Sequence, residues 1–128
     1  ITSHGMVLCD EIEIEQVLVN LINNAIDAVK DQSNKWVKVS LYDSPAELVL
    51  QVEDSGLGIP VEIEDKLFQP FFTTKPIGEG TGIGLSIVKG ILDQHNALIG
   101  LNRNKTNTCF EVRFPRYLQK EISHQEHV

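Results

Sequence analysis

The chain reads as a two-layer α/β sandwich, with helices on one face of a mixed, mostly antiparallel sheet. Three observations predict it. Apolar residues recur at helical intervals near residue 20 and again near residue 90, and four other stretches alternate apolar with polar residues. These segments come in the order helix, two strands, loop, helix, two strands, and hairpins interleaved with helices bury one sheet face against the helices. A length of 128 residues with 41% hydrophobic content is enough for one domain with an ordinary core.

The first helix follows from Val17, Leu18, Leu21, Ile22, Ala25, Ile26 and Val29, whose spacing marks one buried face over about residues 11–30. Asp10 with Glu13 resembles a capping box that starts it. WVKVSLYD (36–43) and ELVLQVED (47–54) alternate as strands, with Ser44, Pro45 and Ala46 as a hairpin connection. DSGLGIP, a short polar stretch VEIEDK and the run FQPFFTTKPIGEGTGIGL (68–85) follow. A second helix is expected over 84–95, with Leu85, Val88, Ile91 and Leu92 on one face. ALIGLNRN from Ala97 and TCFEVRFP from Thr108 form the last two strands around a turn at 104–107. The polar tail from Gln119 to Val128 is expected to be disordered, leaving 1–118 as the domain.

A net charge of −7 without basic clusters argues against nucleic acid as a partner, so any phosphate must be held by local chemistry. Apolar runs are only a few residues long, and no charged-then-apolar leader is present, so neither a membrane contact nor a signal peptide is expected of this domain. The chain opens on Ile1 rather than Met, and an excised piece of a larger protein is expected. Cys9 and Cys109 sit among apolar residues without ligand spacing, which suits free buried thiols in a reducing, cytoplasmic setting.

The other side of the first helix carries Glu13, Gln16, Asn20, Asn24 and Asp27 as a continuous polar stripe. Asparagine is a poor helix former, about 0.5 kcal/mol worse than alanine. Surface asparagines tolerated without purpose would give the same pattern, but amide oxygens can also coordinate a hard cation. Seven of the nine glycines fall between Gly56 and Gly90. Glycine lets backbone N–H groups approach a ligand closely, and Gly84 opens a helix whose N-terminus favours anions; a flexible surface loop is the alternative. No Lys-Ser or Lys-Thr pair follows the glycines, so this is not a P-loop. The spacing from Gly80 puts Leu85 where a dinucleotide fingerprint needs glycine, and V-A-I-K, H-R-D and D-F-G are absent. Asp54 ends a strand just before two glycines, where its carboxylate would suit an exocyclic amine; an ordinary turn aspartate is common in D-S-G and, on this residue alone, is the favoured reading.

In this order, the Asn-rich helix, D-S-G-L-G, F-Q-P-F-F-T-T-K and G-E-G-T-G-I-G-L resemble the ATP-binding catalytic domain of sensor histidine kinases. That family belongs to the gyrase, chaperone, histidine kinase and mismatch-repair ATPase superfamily, and the match runs from Asp10 to Pro115. The resemblance implies the Bergerat fold with a mobile ATP lid, and ATP and magnesium as ligands. Asn24 matches the magnesium ligand and Asn20 a second polar contact to metal or phosphate, with a catalytic role shared with Lys75, a flexible cation beside the glycine loop. Asp54 matches the acceptor for the adenine amino group, with Gly56 and Gly58 passing under the base and Thr108 supporting the contact. Gly80, Thr81, Gly82, Gly84 and Leu85 match the second glycine box, and Asp27 and Ile59 complete the ATP-binding set. Phe68, Phe71 and Phe72 look like the F box, packing the base of the lid. Asp27 and Ala28 stand where many members carry a basic residue and an aromatic, which leaves the phosphate role of that helix end open. Asn107 and the stretch HNALIG replace glycines common in the family.

Hydrolytic branches of the superfamily place a glutamate one turn before the magnesium asparagine, where this chain has Asn20. Without that base, transfer to a protein nucleophile is favoured over attack by water. None of His4, His95, His124 or His127 lies in a His-Glu or His-Asp box. The implied partners are therefore a helical dimerisation and phosphoacceptor domain of the same kinase and a response regulator receiver domain, and the full kinase can be membrane-anchored. The alternatives are an anti-sigma-factor-type serine kinase of the same fold and a catalytically silent nucleotide-binding module.

Overall fold

A computed structural model describes residues 11–72 and 84–116. The cap at Asp10, Cys9, the lid with Lys75, Gly80, Thr81 and Gly82, and the tail from Gln119 lie outside the described residues. The elements are α1 (Glu11–Val29), β1 (Val37–Asp43), β2 (Glu47–Asp54), α2 (Val61–Glu64), α3 (Gly84–Gln94), β3 (Leu98–Leu101) and β4 (Cys109–Pro115). All the expected elements form. The short polar stretch after Pro60 adds α2, one turn too brief to show a periodic signal.

The sheet order is β1-β2-β4-β3, and every pairing among the described strands is antiparallel. Register places Leu48, Leu50 and Val52 opposite Phe114, Val112 and Phe110, so these six share one face, with Asp54 two residues beyond Val52 on the same side. That face carries the core. Helix α1 packs on β2 and on α3, and α3 reaches β3. Val17, Leu21, Val52, Val88, Leu92 and Val112 are sealed from water, each contributing about 1.5–3 kcal/mol relative to exposure. Ile26 is an exception to the spacing argument. It is 52% exposed and, with Ile12 and Val19, forms a seven-residue-spaced outer stripe on α1.

Side-chain chemistry sets the turns. The Ser44 hydroxyl donates to Glu47 O (2.9 Å) and accepts from Glu47 N (3.1 Å), closing the β1–β2 hairpin. Helix α3 ends with Ala97 N–H on Leu92 O (2.9 Å) and Asn96 N–H on Asp93 O (3.3 Å), with Asn96 at φ 56°. This is a Schellman end, and Asn is the commonest substitute for glycine in its left-handed position. The departure HNALIG thus keeps the turn.

The sheet face away from the helices is polar. Glu111 accepts from Gln51 Nε2 (2.7 Å), Asn102 Nδ2 (3.2 Å) and Arg113 Nε (3.0 Å). Burial alone would raise the Glu111 pKa, but these hydrogen bonds and the Arg113 charge hold it below the ordinary value. Cys109 faces the same side, buried as expected, and desolvation together with the Glu53 charge pushes its thiol up to about 11.

Candidate functional site

Strand β2 delivers Asp54 to the end of the sheet, on the α1 side and 2% exposed. Antiparallel pairing with Val37 brings the start of β1, and with it the C-terminal end of α1, to the same place. Desolvation raises the Asp54 pKa above its ordinary value, the Gly56 N–H lowers it and the neighbouring Glu53 raises it further. A costly buried carboxylate at a strand end is the kind of group a site requires and a fold does not.

The loop after Asp54 is knit to the β3–β4 hairpin. Gly56 N–H donates to Asp54 Oδ1 (2.7 Å), and Gly58 N–H donates to the Thr108 hydroxyl (3.0 Å). Thr108 N–H and Asn107 Nδ2 both donate to Gly56 O (3.2 and 3.1 Å), and Asp54 N–H donates to Thr108 O (2.9 Å). A Cβ on Gly56 would fall 2.7 Å from Asp54 Oδ1 and 3.0 Å from the Thr108 hydroxyl, so any other residue there would have to displace one of them. Gly58 is at φ +98°, a left-handed backbone that again favours glycine. Asp54, Gly56, Gly58 and Thr108, chosen from sequence, are therefore one hydrogen-bonded unit, and Ile59 packs against the core beside it.

The second cluster lies on α1. Asn20, Asn24 and Asp27 are half-buried along one side of the helix, at positions spaced by four and three. Asp27 also pairs with Lys30 at 3.5 Å. The amides of Asn20 and Asn24 make no hydrogen bond among the described residues, so their oxygens are available. Gly84 and Leu85 open α3, the neighbour of α1, with Leu85 against the core. Lys75, Gly80, Thr81 and Gly82 lie outside the described residues.

The three F-box phenylalanines part company. Phe68 stacks edge-on against Phe110 with centroids 6.5 Å apart, and Phe72 packs on the core. Phe71 instead is 74% exposed at φ 67°, a backbone state bulky residues seldom take. Its expected packing role is corrected accordingly. Three supporting residues escaped the sequence reading: Ser55, Gln32 and Arg103. Arg103 donates to Ile59 O (2.5 Å) and pairs with Glu64 (2.5 Å), strapping the hairpin to α2. Polar residues in turns carry no periodic signal, so only the contacts reveal them. A cavity of about 340 Å³ lies between this hairpin and Leu57–Pro60. Of the sequence-predicted site residues, Gly58, Ile59 and Thr108 are among its walls, whereas Asn20, Asn24 and Asp54 are not.

Compared with known proteins, residues 9–118 match the family described as histidine kinase-, DNA gyrase B- and HSP90-like ATPase. The chain belongs to this ATPase family. It is 37% identical to the sensor kinase CckA of Brucella abortus over 85% of this chain and 13% of that protein. It is 41% identical to the sensor histidine kinase ZraS of Escherichia coli over 70% of this chain and 18% of that one. Among solved structures, the catalytic domain of histidine kinase ThkA superposes with a TM-score of 0.74 at 35% identity, covering 89% of this chain and 76% of that one. Within the ATPase family the chain is thus a catalytic ATP-binding domain of the sensor histidine kinase type, and it spans only a minor part of the curated relatives. No described helix is long and apolar enough to cross a membrane.

Proposed function

We propose that the chain binds magnesium ATP and transfers the γ-phosphoryl group to a histidine on a separate helical domain, the product then serving a response regulator. The observation that carries this is the buried Asp54 carboxylate, held on one oxygen by Gly56 N–H, at the end of the sheet reached by the amide-bearing helix α1. Oδ1 already accepts from Gly56 N–H, and the carboxylate's further acceptor capacity is assigned to the adenine amino group, with Oδ2 the oxygen that has no described partner. Guanine would present a carbonyl there, acceptor against acceptor, so adenine is selected.

At the other end, the Asn24 amide oxygen is a hard, neutral donor that suits magnesium, an ion commonly held by few protein ligands plus substrate phosphates. Bound there, magnesium would neutralise charge on the transferring phosphoryl group. Asn20, one turn earlier, offers polar contact but no base, which disfavours activation of water. Lys75 and the glycine box Gly80, Thr81, Gly82, Gly84 and Leu85 are assigned to the phosphates, and Asp27 belongs to the ATP-binding set on α1. The likeness to the ThkA complex with the response regulator protein TrrA, at TM-score 0.71 and 30% identity, supports a receiver domain as partner.

Labelled ATP tests this directly. The chain alone should bind nucleotide and stay unlabelled, whereas a supplied acceptor domain should gain acid-labile label. Acid-stable phosphoserine on the partner would mean the serine kinase chemistry instead, and nucleotide binding with no transfer to any acceptor would mean a silent module.

A further inference from the structure

The loop carrying Asp54 is held from two sides, and the hairpin of Thr108 is only one of them. On the other side, Ser55 is engaged three times by the segment that joins α1 to β1. Its N–H donates to Trp36 O (3.0 Å), its hydroxyl accepts from Trp36 N (3.1 Å) and donates to Gln32 Oε1 (2.7 Å). Gln32 is itself anchored, its N–H donating to the carbonyl of Val29, the last residue of α1 (2.9 Å). A short path therefore runs from the helix that bears Asn20, Asn24 and Asp27 to the residue next to Asp54.

A nucleotide that engages both ends gains from the second contact only when the two ends already sit at the right spacing. Where the spacing fluctuates, part of the second contact is lost to ordering. We propose that Gln32, acting through Ser55, is a positioning residue that sets the spacing between Asp54 and the amide face of α1. The role rests on the nucleotide site described under Proposed function. The Ser55 N–H bond to Trp36 O and the Trp36 N–H bond to the Ser55 hydroxyl tie the loop to the residue before β1, so the hydroxyl's bond to Gln32 is the part that reaches back to α1.

The test is displacement of a fluorescent ribose-labelled ATP from the 128-residue chain by two probes, magnesium ATP and adenosine, which engages the adenine end alone. Gln32→Met keeps the side-chain length without the acceptor, Ser55→Ala removes the donor, and Ser55→Thr keeps a hydroxyl. Gln32→Met should weaken magnesium ATP about fivefold, one net hydrogen bond; Ser55→Ala, which also takes the acceptor from Trp36 N–H, should weaken it at least as much, and adding Gln32→Met to it should bring no further loss. Adenosine should change by less than about twofold in Gln32→Met, and Ser55→Thr should resemble the parent. Equal losses for adenosine and magnesium ATP would show that the bond merely shapes the loop and would overturn the positioning role. So would losses that multiply in the double variant, or a lowered melting temperature with unchanged affinity. A parent chain that binds neither probe would overturn the nucleotide site itself, and the positioning role with it.

Discussion

The two ends of the candidate site are built on opposite plans. Around Asp54, the polar groups of Gly56, Gly58, Asn107 and Thr108 are spent on one another, and two glycines are imposed by close approach and positive φ. On α1, the amides of Asn20 and Asn24 are half-buried and uncommitted among the described residues. A base must be recognised by a rigid acceptor at a set angle, so preorganisation favours the first plan. Metal and phosphates exchange every turnover and need donors not already engaged, which favours the second. Substitutions at the two ends are therefore expected to differ in kind, those at the open end changing transfer and those at the closed end changing affinity and stability.

The largest effect is expected at the open end. Asn24→Ala should lower phosphoryl transfer to a supplied acceptor domain by about 100-fold or more, with the circular dichroism spectrum and melting temperature almost unchanged, since no described bond is lost. Transfer within a few-fold of the parent would remove Asn24 from the metal site.

At the closed end, Asp54→Asn should weaken ATP by about 10–100-fold. With Gly56 N–H retaining the amide oxygen, the amide NH₂ would face the adenine amino group, donor against donor. The same substitution should raise stability at neutral pH, because the buried charge is unfavourable there. The sign follows from the raised pKa. Between the ordinary value of 3.8 and the raised one, the folded chain binds more protons than the unfolded chain, so stability contributed by Asp54 falls as pH rises through that window. ATP affinity should move oppositely, dropping on acidification at a pH above the usual aspartate range. Calorimetric titration and thermal melts across pH check both, and an Asp54→Asn chain less stable than the parent at neutral pH would contradict the cost assigned to the carboxylate.

A smaller loss is expected from Gly56→Ala, whose methyl would displace the Asp54 carboxylate or the Thr108 hydroxyl. About tenfold weaker ATP binding is anticipated, since a misplaced recognition group costs affinity without being removed. The smallest effect marks the background. Lys89→Ala breaks the exposed Lys89–Asp93 pair on α3, away from both ends, and should cost less than about 0.5 kcal/mol of stability without altering ATP affinity.

By itself, the sequence determined the order of elements, because periodicity and alternation are local: α1, β2, α3 and β4 lie within a residue or two of where spacing puts them. It also made the candidate site legible as residue types at set offsets, amides on one helix stripe and an aspartate before two glycines. Only the tertiary structure decided which strand lies beside which, giving β1-β2-β4-β3, and that Ile26 faces outward despite its apolar spacing and Phe71 despite its place in the F box. It alone brought Ser55 to Gln32, Asn107 to Gly56 and Arg103 to Glu64, pairs 23 to 51 residues apart in the chain. The physical reason is that a polar side chain in a turn has many possible partners of equal chemistry. Which one it meets depends on chain segments that come together only when the sheet closes against its helices.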